Sequence, residues 1–202
     1  MFENKPKDNG IEVQDLNAQK TNWKAEILDI VKVFIISLVI VVPIRYFIVQ
    51  PFIVRGASME PNFKNRDYLI VDEVSYRFRE PQRGEAIIFR YPRDPKQYFI
   101  KRIIGLPGET VEIKNGKIKI FSPDRPDGHI LEEPYLNSYN LYPALTTNLN
   151  KNQYFVLGDN RNFSYDSRGW GPLDRKFIIG KAVFRAWPVT KFGFVAHYAL
   201  NY

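Results

Sequence analysis

Hydrophobic and polar positions divide the chain into three patterns. Up to about residue 26 the sequence is polar and of mixed charge, with Pro6 and Gly10, and reads as a flexible tail. From Ile27 it turns apolar, and Val33 to Ile44 carries no charged residue. That run alone is shorter than the ~20 residues a spanning helix needs. Ile30 to Val49 restores the length, with Lys32 and Arg45 near its ends. Long basic side chains so placed carry their charges out to the headgroups, and bilayer helices tolerate a residue such as Pro43 better than soluble ones do. Residues 27–49 are therefore expected to form a retained transmembrane anchor. A buried core helix is the weaker account, because no polar face interrupts the run. A cleaved leader is weaker too, because cleavage after Ala57 would put Arg55 at the minus-three position.

After Gln50 the period shortens to two. Asp67 to Val71, Glu85 to Phe89, Tyr98 to Ile104, Thr110 to Lys114, Tyr154 to Leu157 and Phe177 to Trp187 are β-branched or aromatic runs, and they are predicted as strands. Asn115-Gly116 separates Val111-Glu112-Ile113-Lys114 from Lys117-Ile118-Lys119-Ile120, the pattern of a hairpin closed by a type I′ turn. Residues from about 122 to 152 are rich in Pro, Asn and Asp and read as long loops. The expected fold is an all-β, antiparallel domain over residues 50–202, with a β/loop insertion at about 110–152, behind one transmembrane helix.

Composition narrows the chemistry more than the fold. At 45% hydrophobic and 25% charged, the chain is folded rather than disordered. Removing tail and anchor leaves about 150 residues, enough for one core. There is no cysteine, which excludes disulfides, thiol catalysis and Cys-ligated metals. The two histidines, His129 and His197, have no HExxH spacing and no supporting motif, so neither zinc hydrolysis of that type nor a Ser-His-Asp triad is indicated. The net charge of +7 is spread along the chain without a nucleic-acid-binding signature, and anionic lipid accounts for it equally well. No nucleic-acid partner is expected.

The candidate chemistry lies in three short blocks. Ser58 sits in Gly56-Ala57-Ser58-Met59-Glu60-Pro61, a turn between extended runs. Lys101 sits in Tyr98-Phe99-Ile100-Lys101-Arg102-Ile103-Ile104, where a strand gives it the face of Phe99 and Ile103 and points Arg102 the other way. A serine hydroxyl needs a base, and a desolvated, neutral lysine can serve. The third block, Gly158-Asp159-Asn160-Arg161-Asn162-Phe163-Ser164-Tyr165-Asp166-Ser167-Arg168, is dense in hydrogen-bonding side chains. Taken singly, the blocks are equally a turn serine, a surface lysine and a capping cluster.

Taken in order, they closely resemble the type I signal peptidases, the membrane-bound proteases that remove signal peptides from exported proteins. Arg83-Gly84-Glu85-Ala86-Ile87-Ile88-Phe89 looks like that family's Arg-Gly-acid strand entry. The resemblance runs from the apolar segment almost to the C-terminus, omitting the first two dozen residues and about 121 to 152. It implies Ser58 as nucleophile and Lys101 as general base. Ser164 would hydrogen-bond the Lys101 amine and orient it, Asp166 and Arg168 would form a supporting ion pair, and Asp159, Asn160 and Arg161 would shape the loop. Gly56 stands where some members carry a serine, so the oxyanion would rest on the Ser58 amide and a Gly56 amide or water. Phe52, Val54, Met59, Phe63, Phe99 and Ile100 would form shallow apolar pockets, with Phe63 equally well read as core. No metal or organic cofactor is implied. The partners implied are signal peptides of preproteins and membrane lipid. The location implied is a bacterial-type or thylakoid membrane, crossed once, with the N-terminus cytoplasmic. A self-cleaving Ser/Lys repressor would need a DNA-binding module where this chain has an apolar segment. A membrane-tethered β adaptor would not need to keep Ser58 and Lys101.

Overall fold

The computed structural model describes residues 23–47, 49–136, 143–198 and 200. The tail expected over residues 1–26 lies outside the described residues as far as residue 22, as do Ile48 and the centre of the region read as loops. The chain divides into two compact units, residues 1–41 and 42–202. Helix α1 (Trp23–Phe47) runs on through Pro43. From Ile27 to Val41 its large apolar side chains are exposed, as expected of a surface that finds no partner within its own unit. Among the described residues no helix is long and apolar enough to cross a membrane.

Among its described residues the second unit has twelve strands, all paired antiparallel. In chain order they are β1 (Val49–Ile53), β2 (Tyr68–Asp72), β3 (Ala86–Tyr91), β4 (Asp94–Gly105), β5 (Thr110–Lys114) and β6 (Lys117–Ser122). There follow β7 (Arg125–Ile130), β8 (Leu145–Asn148), β9 (Gln153–Leu157), β10 (Leu173–Asp174), β11 (Ile178–Trp187) and β12 (Gly193–Phe194). The larger sheet has the order β1-β2-β11-β3-β4-β9-β10, with β12 added to β11, and the smaller one the order β7-β6-β5-β8. Strand β3 is central and buried on both faces. Ala86 and Ile88 enter one core with Leu69, Val71 and Ala182, while Ile87 and Phe89 enter another with Ile103, Tyr154 and Val156. This is why its sequence is continuously apolar rather than alternating. Each of the larger side chains contributes about 2 kcal/mol of burial.

The Asn115-Gly116 hairpin forms as expected, with Lys114 opposite Lys117 and positive φ at both turn residues, 52° and 74°. Its inward residues Val111, Ile113, Ile118 and Ile120 make a third core with Ile104, Phe155 and Leu157. Two strands correct the reading of residues 122–152 as loops. Strands β7 and β8 are the edges of the smaller sheet, where one neighbour suffices and Pro126 or Gly128 does no harm to a ladder. Strand β4 also begins earlier than expected, at Asp94, so the β3–β4 hairpin extends well beyond the apolar run.

Candidate active site

The turn that carries Ser58 interrupts a β ladder. Beyond β1 the pairing with the β2 side continues, as Val54 N–H donates to the Asp67 carbonyl at 2.9 Å and Arg66 N–H to the Val54 carbonyl at 2.8 Å. The residues between them bulge out of the sheet. Gly56 adopts a φ of +91°, a conformation that any side chain would strain. The turn is closed by Glu60 N–H on the Ala57 carbonyl at 3.2 Å and Phe63 N–H on the Met59 carbonyl at 2.9 Å. Met59 and Phe63 then sink into the core at 1% exposure each, which pins the turn from below.

Lys101 reaches this turn from β4, where its backbone lies opposite Ile87 of β3. The residue is only 4% exposed. Its Nζ lies 2.7 Å from Ser58 Oγ, donates to the Ile100 carbonyl at 3.0 Å, and sits 5.5 Å from the centre of the Phe99 ring. Burial lowers the amine from its usual 10.5 to about 8; Asp166 and Asp159 pull the other way and Arg168 adds to the lowering. A base works only when neutral, so the rate should rise with pH and level off above the amine's pKa, near 8 rather than 10.5. A kcat/KM profile that is flat from pH 6 to 10 would remove Lys101 from the role.

The 158–168 block is fastened to the same turn. The Asn160 N–H donates to the Ser58 carbonyl at 3.0 Å, and Asn160 Nδ2 to the Ala57 carbonyl at 3.1 Å. Gly158 permits the approach, because a Cβ there would collide with the Ser58 carbonyl and Ser164 Oγ. Asp166, 1% exposed, accepts from Gly158 N–H at 3.1 Å and caps the short helix α2 (Ser167–Trp170). Arg168 pairs with it, its Nε 2.8 Å from Asp166 Oδ1, and donates to the Arg161 carbonyl at 2.7 Å. Arg161 in turn forms a buried pair with Glu133, three residues past the end of the smaller sheet's edge strand β7.

Arg102, on the opposite face of β4, holds Asp159 through two bonds, Nε to Oδ1 at 2.8 Å and Nη2 to Oδ2 at 2.6 Å. Asn62 Nδ2 adds a third contact to that carboxylate at 2.9 Å.

Two expectations need correction. Ser164 Oγ makes no hydrogen bond to Lys101. Among the described residues it is buried against Gly158 without a hydrogen-bond partner, while the amine contacts Ser58 Oγ and the Ile100 carbonyl. The Gly56 amide is not free for an oxyanion, since it donates to Asn65 Oδ1 at 3.1 Å. Asn65 was not singled out from the sequence, which offers no local signal for it.

Ser58 and Lys101 lie in a groove of about 780 Å³. Of the expected pocket residues, Phe52, Val54, Phe99 and Ile100 line it. Met59 and Phe63 do not. They are core beneath the turn, and the ring of Phe63 packs under the Arg185 guanidinium at 5.4 Å. Leu69 and Ile88 take their place on the floor, and Phe163 and Tyr165 line the groove from the 158–168 block. Leu69 and Ile88 lie in runs expected as strands, but nothing in the sequence distinguished groove floor from core. Neither histidine lines the groove. Among the described residues no group of three or more His, Cys, Asp or Glu side chains could hold a metal ion.

A protein-family model described as signal peptidase, peptidase S26, matches residues 27–187. A signal peptidase I from Leptolyngbya laminosa is 39% identical over 183 residues, 87% of this chain and 87% of that protein. A probable signal peptidase I-2 from Synechocystis sp. is 37% identical over 172 residues, 82% of this chain and 76% of that protein. Signal peptidase IB of Staphylococcus aureus is 34% identical over 188 residues, 84% of this chain and 94% of that protein.

Proposed function

We propose a Ser58–Lys101 dyad mechanism for this chain, which belongs to the signal peptidase family, peptidase S26, and removes signal peptides as a serine endopeptidase. The observation that carries the dyad is the 2.7 Å contact between Lys101 Nζ and Ser58 Oγ in a groove from which Lys101 is almost wholly desolvated. The neutral amine takes the hydroxyl proton as Oγ attacks the scissile carbonyl carbon. The negative oxygen of the tetrahedral intermediate is met by the Ser58 N–H and a water, because Asn65 occupies the Gly56 amide. As the carbon–nitrogen bond breaks, the ammonium returns its proton to the leaving amine and Ser58 carries the acyl group as an ester. A water, deprotonated by the same amine, then attacks the ester carbonyl. Its collapse frees the signal peptide and returns the proton to Ser58. Asp166 and Arg168 position the 158–168 block against the dyad.

The groove suits an extended peptide. One edge of β1 has no strand partner among the described residues, and β4 pairs with β9 only from Arg102 onward, leaving one edge free from Asp94 to Lys101. A substrate strand between these edges sends its minus-one and minus-three side chains to the same side, toward Val54, Leu69, Ile88 and Ile100. Bulky side chains fill that floor, so we expect small residues, alanine above all, at both positions. A charged residue there would be desolvated without a partner. Preproteins differing only at minus one test the reading. Leu or Lys should slow cleavage at least about a hundredfold relative to Ala. Val54→Ala should narrow the gap at minus three. Equal cleavage of Ala, Leu and Lys substrates would defeat both the pocket assignment and the orientation of the peptide.

We also infer that residues 27–49 anchor the enzyme in a membrane, with the N-terminus cytoplasmic and residues 50–202 on the far side. The uncharged run Val33 to Ile44 and its helical conformation support this reading. Protease accessibility in sealed vesicles tests it: a far-side domain is protected in vesicles whose cytoplasmic face is outward and digested in vesicles of the opposite orientation.

A further inference from the structure

We infer that Phe163 and Tyr165 form an aromatic wall that selects a large apolar residue, aromatic above all, at the minus-two position of the substrate. This deepens the proposed function and rests on its peptide orientation. Phe163 closes a 3-10 turn over Arg161–Phe163, and the backbone is extended after it. Ser164 is extended, at φ −125° and ψ 125°, and Asp166 is extended as well. Ser164 and Asp166 therefore turn inward toward Gly158, while Phe163 and Tyr165 turn outward into the groove.

The two rings differ in how they are held. Phe163 is 76% exposed and has no partner ring among the described residues. A phenylalanine left that open forfeits its burial until something covers it. Tyr165 is set firmly. Its ring packs on Gly169, where a Cβ would collide with it. It also stands edge-on to Tyr91 at 6.2 Å, and Arg93 Nη1 donates to its hydroxyl at 3.3 Å. Tyr91 is itself stacked on Phe99 at 4.7 Å, which ties the wall to the strand that carries Lys101. Such an arrangement presents a fixed ring with little ordering cost on binding.

The side chain that meets this wall follows from the same alternation. With minus one and minus three directed at the floor, minus two points to the opposite side, where Phe163 and Tyr165 line the groove. Aromatic and aliphatic side chains there cover Phe163 and the exposed face of Tyr165. Glycine covers nothing. An edge-to-face or offset ring contact corresponds to a factor of about ten.

The test uses the full chain and preproteins with Ala held at minus one and minus three, and Phe, Leu or Gly at minus two. In the unmodified enzyme, kcat/KM for Phe should exceed that for Gly about tenfold, mainly through KM. In Phe163→Ala/Tyr165→Ala the Phe-to-Gly ratio should fall below about twofold, whereas Tyr165→Phe, which keeps the ring, should retain most of it. A general structural lesion would slow both substrates together and leave the ratio intact, which would count against the wall. A ratio near one in the unmodified enzyme, or a preference that follows the plus-one residue instead, would overturn the assignment. Loss of the minus-one alanine requirement would defeat the underlying orientation, a distinct outcome.

Discussion

Ser58→Ala and Lys101→Ala are each expected to reduce preprotein cleavage by at least about a thousandfold while the protein folds and partitions as before. Without Ser58 there is no Oγ to form the ester. Without Lys101, no other base lies within hydrogen-bond reach of that oxygen among the contacts it makes, and neither histidine lines the groove. The two losses should not add, because nucleophile and base act in one step. Folding is spared for a physical reason. Burying the Lys101 ammonium costs the fold on the order of 3 kcal/mol below pH 8, the equivalent of lowering its pKa from 10.5 to about 8. That cost fades as pH rises from 8 toward 10.5 and the unfolded chain also loses the proton. Ser164→Ala should be far milder, about tenfold or less, since Ser164 Oγ makes no bond to the amine and its removal strands no partner. Cleavage followed by gel mobility, alongside thermal melting of each variant, separates these outcomes. Residual activity above a few per cent in Lys101→Ala would point to another base.

Asp159→Ala should produce the largest loss of stability, about 3–5 kcal/mol. Its carboxylate is fully buried beneath the turn that bears Ser58, held by both Arg102 nitrogens and by Asn62. Removing it leaves a guanidinium at 1% exposure with the Gly84 carbonyl at 2.7 Å and the faces of Tyr135 and Tyr198 as its remaining partners. The melting temperature should fall by roughly 10 °C or more. The double change Arg102→Met/Asp159→Leu should recover most of that, because it removes the unpaired charge as well as the pair. If the double variant melts no higher than Asp159→Ala, the loss comes from packing rather than from a stranded charge. Cleavage should fall with the pair broken, since Asn160 beside it carries the bonds to the Ser58 and Ala57 carbonyls.

Much of this architecture was legible one strand at a time. Alternation marked β5 and β6, β-branched and aromatic runs marked β2 and β9, and Asn115-Gly116 marked the hairpin, because these signals are local and survive in sequence. Strands β7 and β8 were not legible, since edge strands owe their conformation to a neighbour rather than to their own residues, and Pro126 and Gly128 of β7 and Asn148 of β8 argue against a strand locally.

The site divides in the same way. Sequence alone marked the candidate groups: Ser58 in its glycine-bearing turn, Lys101 in an apolar strand, and a polar block able to brace them, because residue type and near neighbours decide what chemistry is available. Only the tertiary structure decided what those groups touch. It brought Lys101 Nζ to 2.7 Å from Ser58 Oγ across 43 residues of chain, and it assigned Asn65 to the Gly56 amide. It also buried Met59 and Phe63 as core, and turned Phe163 and Tyr165 into the groove. Those outcomes depend on which strands pair and in what register, a property of long-range packing that no local stretch of sequence carries.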